Sequence, residues 1–206
     1  GRKDEAIAYA EKRIKEGKAQ YYDLELKQML GHAYFEKGQY AKAAPYLADY
    51  VARSKKVRRE DIYELSYAYY QGGDYTKAIE GFKQLSGKED SLSQHAMYLL
   101  GDSYLKTAQK ANARNAFLFS AANNSNPTQR EISRFNYAKL SYELGYQDEA
   151  LKNLRSFIND YPNSQYAEEA TDLLVGALAN TNNYREAMTM LESLRNPSTR
   201  TRQLYP

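Results

Sequence analysis

The chain has 206 residues, 42% of them hydrophobic, with only 11 Gly and 5 Pro, so it is no disordered polymer and has room for one or two ordinary domains. Its 29 Lys and Arg nearly balance 26 Asp and Glu, which argues against the concentrated basic face of a nucleic-acid protein. It has no cysteine, hence no disulfide framework and no thiol chemistry, and no apolar run approaches the roughly 18 residues of a membrane span.

Lys3 to Glu16 predict a helix that buries Ala6, Ala10 and Ile14 and ends at Gly17. It reads as the second helix of a hairpin without its first, so the stretch is expected to start in mid-repeat, and the lack of a visible signal peptide says little. Gln20 to Lys37 and Tyr40 to Arg53 follow as a helical hairpin joined at Gly38. The densest positive run, from Arg53 to Arg59, reads as a solvated loop in preference to a contact for an acidic partner, because Glu60 and Asp61 dilute it at once. The second hairpin is Arg59 to Gln71 and Tyr75 to Ser86, with Asp74 placed to cap the second helix. The third is Ser91 to Lys106 and Lys110 to Ala122; Ser91 and Gln94 have capping-box spacing, and the turn from Thr107 to Lys110, lacking glycine, is expected to be tight. The fourth, Thr128 to Leu144 and Gln147 to Asp160, starts behind Asn126-Pro127 and is divided by Gly145. Pro162 forces a break before the fifth, Ser164 to Asn180 and Tyr184 to Leu194, and Asn196 to Pro206 reads as a linker into a following first helix.

These hairpins repeat. An alanine followed four residues later by a bulky apolar residue recurs at Ala43, Ala78, Ala113, Ala150 and Ala187, in steps of 35, 35, 37 and 37 residues. One further step back lands on Ala6. The first helices carry Leu30-Gly31 before Tyr34, Leu65-Ser66 before Tyr69 and Leu100-Gly101 before Tyr104, with looser versions at Tyr137-Ala138 and Leu174-Val175. On these residues the chain resembles the tetratricopeptide repeat (TPR) family, helix-turn-helix units of about 34 residues. The resemblance implies an all-α fold, a right-handed superhelix of stacked hairpins, with units at 19–55, 56–90, 91–125, 126–162 and 163–195 between partial units at 1–18 and 196–206. The family's early tryptophan is replaced by Lys27, Ile62, Met97, Arg134 and Thr171. Phe157 to Leu174 is similar to repeats of bacterial envelope proteins of the outer-membrane assembly lipoprotein and Tol–Pal accessory types. That similarity implies a periplasmic or outer-membrane-associated location, with the cytoplasm as the alternative. Tyrosine, at 21 residues, suits thin layers in which a ring is buried while its hydroxyl reaches water.

No catalytic constellation is visible. His32 and His95 are the only histidines and stand in no metal-ligand motif, and there is no phosphate loop or nucleophile elbow, so no enzyme activity, metal or cofactor is expected. In the TPR family the first helices line a concave face. Carried onto this chain, that face offers Gln28, His32 and Phe35, then Tyr63, Tyr67 and Tyr70, then Tyr98 and Asp102, then Phe135, Lys139 and Tyr142. A partner-binding strip and simple packing between first helices are both open readings of these rings. The Lys and Asn clamp by which some family members hold a C-terminal carboxylate is missing, since those positions hold Gln28 and His32, Tyr63 and Tyr67, Tyr98 and Asp102, and Phe135 and Lys139. The expected function is non-enzymatic binding of a protein or peptide segment, within a larger envelope protein of a Gram-negative bacterium that meets a membrane only through other parts. The alternatives are self-association through open repeat ends and a glycan or small-molecule module using the aromatic groove.

Overall fold

The computed structural model describes residues 1–17, 22–181 and 183–193. Among them there is no strand. Apolar residues at three- and four-residue spacing give each segment one apolar stripe, and the helices persist because each stripe finds a neighbour. They are α1 (Arg2–Lys15), α2 (Asp23–Glu36), α3 (Tyr40–Arg53), α4 (Arg59–Gln71), α5 (Tyr75–Phe82), α6 (Ser91–Lys106), α7 (Lys110–Ala122), α8 (Pro127–Glu143), α9 (Gln147–Asp160), α10 (Ala167–Asn180) and α11 (Tyr184–Ser193). A 3-10 turn over Lys83–Leu85 ends α5. The part of the expected first repeat at 18–21, and Asn196 to Pro206, lie outside the described residues.

The chain forms two compact units. The first comprises Gly1–Lys88 and Asp102–Ala108; the second comprises Glu89–Gly101 and the described residues from Gln109 onward. In the first unit consecutive helices from α1 to α5 pack against one another, and α2 also touches α4. One core cluster joins Ile7, Ala10, Leu30, Tyr34, Ala43 and Leu47. In α1 the buried residues are Ile7 and Ala10, whereas Ala6 is exposed, which corrects the expected stripe. Ala10 sits in the core with Ala43, so the small contact residue of α1 lies nearer to Ala43 than the 37-residue step implied.

Helices approach closely where one of them lacks a side chain. A Cβ on Gly31 would come within 2.6 Å of the Leu47 side chain. In the second hairpin Ser66 replaces that glycine, and the gap moves to α5, where a Cβ on Gly81 would come within 1.8 Å of the Ser66 hydroxyl oxygen. Ser66 keeps its hydroxyl satisfied by donating to the Ile62 carbonyl at 2.7 Å.

In the second unit α7, α8, α9, α10 and α11 pack in chain order, and α8 also touches α10. Its core runs through Phe135, Ala138, Ala150, Leu154, Phe157, Leu174, Leu178, Ala187 and Leu191. Local signals set the helix starts. Asp74 accepts from the Lys77 amide at 3.2 Å, and Asn126, followed by Pro127, accepts from the Gln129 amide at 3.0 Å. At α6 the expected pairing of Ser91 and Gln94 gives way to another. Asp90 accepts from the Ser93 amide at 2.8 Å, while Gln94, 1% exposed, donates to the Ser120 and Asn123 carbonyls at 3.1 and 2.6 Å and accepts from the Asn126 amide at 2.7 Å. A buried amide must find partners, and the chain leaving α7 supplies all three. The turn after α6 is no tighter than its relatives. Ala108, at φ 58°, takes the left-handed conformation that Gly38, Gly73 and Gly145 take in the other hairpins. The start of α10 at Ala167, three residues later than expected, follows from a local turn in which the Ser164 hydroxyl accepts from the Tyr166 amide at 3.1 Å. Among the described residues no helix is long and apolar enough to cross a membrane.

Candidate functional site

In the first unit α2 and α4, the first helices of successive hairpins, lie side by side. Residues three and four apart on a helix share a face. That rule sets Gln28, His32 and Phe35 of α2 against Asp61, Glu64 and Tyr67 of α4, and the three pairs form three rungs. Gln28 Nε2 donates to Asp61 Oδ1 at 3.3 Å, His32 Nδ1 meets Glu64 Oε1, and the Phe35 and Tyr67 rings meet edge to face with centroids 5.7 Å apart.

The aromatic rung belongs to a wider layer. Tyr40 contacts both Phe35 and Tyr67, at 5.7 and 5.4 Å between centroids. Tyr67 lies 5.9 Å from Tyr63 and 6.3 Å from Tyr70, and these rest in turn on Phe82 and Tyr75. Such pairs contribute about 0.5–1.5 kcal/mol beyond the area they bury. Phe35, Tyr40, Tyr63, Tyr67 and Tyr70 are all half-buried, so each ring is held from behind and keeps an edge toward solvent. Burial pushes the Tyr63 and Tyr40 hydroxyls above the usual tyrosine value. Tyr70 donates to Asp102 Oδ2.

The polar rungs carry charge. Asp61 is fully buried, accepts from the Arg58 amide at 2.9 Å and its guanidinium Nη2 at 3.2 Å, and so closes the start of α4. Glu64 is buried, and burial pushes its carboxyl upward while His32 pulls it down. Its Oε2 has no hydrogen-bond partner. Leaving a buried acceptor unmet costs about 1–3 kcal/mol. The other ring nitrogen of His32, Nε2, lies 3.0 Å from Glu36 Oε1, and Lys3 donates to Glu36 Oε2 at 2.8 Å. His32 thus has a carboxylate oxygen beside each of its ring nitrogens.

In the second unit the expected residues play several parts. Tyr98 stacks with His95 at 6.4 Å and meets Phe117 edge to face at 5.9 Å. Phe135 is 3% exposed, stacked on Tyr166 at 4.9 Å and packed on Phe157 at 5.6 Å, so it is a core ring and presents no surface. Lys139 pairs with Glu169 at 2.6 Å, and Tyr142 packs, half-buried, against the same core. Two positions that lack the family's tryptophan hold basic residues turned toward the second helix. Lys27 bonds Asp49, and Arg134 bonds Ser156 at 2.8 Å and Asp160 at 2.7 Å while lying over the Tyr161 ring. Among the described residues no group of three His, Asp or Glu is arranged to hold a metal ion.

Tyr40, Asp61 and Glu64 escaped the sequence reading. Tyr40 stands on a second helix, and the two acids fall outside the family's groove positions. A signal was there: the rungs join residues 33, 32 and 32 apart, and Tyr70 with Asp102 repeats the 32. Complementary residues at a little less than one repeat are facing pairs on neighbouring first helices.

Residues 30–190 match the sequence profile of the YfiO family, described as outer membrane lipoprotein. No curated protein sequence matches significantly. Among solved structures, YrrB, titled a TPR protein with an unusual peptide-binding site, superposes with a TM-score of 0.65 at 18% identity, covering 96% of this chain and 92% of its own. MamA gives 0.61 at 16% identity, covering 89% and 92%. The TPR-like repeats of a Podosopora anserina putative kinesin light chain give 0.54 at 19% identity, covering 88% and 94%. The fold is therefore the all-α TPR fold.

Proposed function

We propose that this chain, which belongs to the YfiO family of outer membrane lipoproteins, is an interaction scaffold of the Gram-negative cell envelope that holds an extended or helical segment of a partner protein against the α2–α4 face. The observation that carries the reading is the half-buried ring layer of Phe35, Tyr40, Tyr63, Tyr67 and Tyr70. Rings fixed by their neighbours grip a partner with little further loss of side-chain freedom. YrrB, which shares the fold, is described as binding peptide, and this supports a segment as the bound form. The family's description supports the periplasmic side of the outer membrane as the place of work. Within the second unit taken by itself, Tyr98, Lys139 and Tyr142 are candidate contacts, and the Lys139 ammonium lies over the Phe135 ring.

The test begins with partners recovered from the envelope fraction of the native organism. Tyr67→Ala and Tyr98→Ala are compared with Lys152→Ala, an exposed change on α9, each checked for unchanged circular dichroism. Truncating a central ring should cost about 2 kcal/mol, roughly thirtyfold in affinity. Full affinity in both tyrosine variants would mean that the rings only pack the helices together.

A further inference from the structure

The carboxylates of the α2–α4 face are unequally matched. Asp61 has the Arg58 guanidinium and Glu36 has the Lys3 ammonium, whereas the group in direct contact with Glu64 is the His32 imidazole, and the Arg58 charge reaches it only from a distance. Glu64 is 6% exposed, and its Oε2 is buried without a donor. A buried acceptor of this kind retains the capacity to take a further donor. His32 covers it with a side chain that is 46% exposed and stands between Glu64 and Glu36, where a cation would meet both acids. One imidazole nitrogen reaches one oxygen of Glu64. A guanidinium fork reaches two, and an ammonium group has three donors to share among Glu64 and Glu36.

The spacing to the rings adds a second requirement. Phe35 and Tyr67 lie three residues beyond His32 and Glu64 on their respective helices, a rise of about 4.5 Å. Along an extended segment, side chains on one face recur every second residue, about 6.6 Å apart. A long basic side chain reaching sideways takes up the difference.

We propose that the α2–α4 face selects partner segments in which an arginine or lysine stands two residues from an aromatic or large aliphatic residue, the cation displacing His32 to meet Glu64 and the apolar group seating on Phe35 and Tyr67. This rests on the binding reading above and supplies the partner's chemistry. Fluorescence polarisation decides it with two labelled peptides of Gly and Ser that differ at one residue, one holding Arg-Ser-Phe and the other Gln-Ser-Phe. The arginine peptide binds the intact chain on the order of tenfold tighter, and raised salt narrows the gap. Glu64→Gln, which keeps the shape and removes the charge, abolishes the preference. His32→Ala, checked for unchanged circular dichroism, uncovers Glu64 and widens the preference. Equal binding of the two peptides by the unaltered chain overturns the inference, as does a preference that survives Glu64→Gln; ring-dependent binding in those cases leaves the scaffold reading standing. Binding of neither peptide, or binding indifferent to Tyr67→Ala, overturns both.

Discussion

Ala108 is the one described residue other than glycine with a positive φ, at 58°. A side chain in the left-handed region costs about 1–2 kcal/mol, because Cβ crowds the following carbonyl, while glycine gives back part of that gain through its freer unfolded chain. Ala108→Gly should therefore stabilise the protein by up to about 1 kcal/mol, seen as a Tm rise of roughly 2–4 °C. A fall in Tm would show that the methyl group, exposed as it is, contributes more than its backbone strain costs. Lys27 and Asp49 make a second case. Their hydrogen bond is the main cause that holds the Asp49 carboxyl below its ordinary value and the Lys27 ammonium above its own. A lowered carboxyl contributes stability above its unfolded value, near 3.9, and loses it as pH falls through the lower folded value. A raised ammonium contributes below the ordinary lysine value and loses it as pH rises through the higher folded one. Denaturation midpoints measured from pH 5 downward should fall more steeply in the unaltered chain than in Asp49→Asn. Parallel curves would mean that the pair is too exposed to matter.

At the scale of elements, the helices most legible in the sequence are those whose ends are set by residues inside the same stretch. α3, α4, α6, α7 and α9 begin and end where the pattern of breakers and caps put them, since Gly72-Gly73-Asp74 or Gly145 interrupts a helix whatever packs beside it. The start of α6 shows where local reading stops. Gln94 has the spacing of a capping residue, yet the cap is Asp90, and the Gln94 amide ties α6 to the chain leaving α7 through Ser120, Asn123 and Asn126. Its partners are 26, 29 and 32 residues away, so no window of one helix could disclose them. Gln94→Ala would remove three hydrogen bonds at once, each worth about 0.5–1.5 kcal/mol. Chemical denaturation of this variant should show a loss of at least about 2 kcal/mol. A loss under 1 kcal/mol would mean that water replaces the amide and that the tie is dispensable. The same limit explains the candidate site. His32 and Phe35 were legible from family register, but Glu64, which gives His32 its chemistry, lies on the next first helix and emerges only when the two are set side by side.

At the scale of the whole molecule, the repeat period disclosed the fold because each unit must bury the same stripe against the next, so the same small and bulky positions recur. Ala43, Ala78, Ala113 and Ala150 are all fully buried for that one reason. The partner was not legible in the same way, since binding uses positions that stacking leaves free to vary. The first helix could be misjudged by a residue because, among the described residues, it packs mainly against α2 and shares a core with α3, whereas α8 contacts α7, α9 and α10. Stability in a stack is close to a sum of unit and nearest-neighbour terms, so local opening should follow the number of neighbours. Amide exchange in α1 is expected to be fast, because its described buried residues are only Ile7 and Ala10. Exchange in α7 to α9, where Ala113, Phe117, Ala138 and Leu154 are closed from water on several sides, should be slowest and should approach the free energy of complete unfolding. Mass spectrometry of exchange in pepsin fragments gives both values in one experiment. If α1 were as protected as α8, a second surface must cover it in solution; repeating the exchange across a hundredfold dilution would then reveal whether that cover is another copy of the chain, since only a dimer interface loses protection as concentration falls.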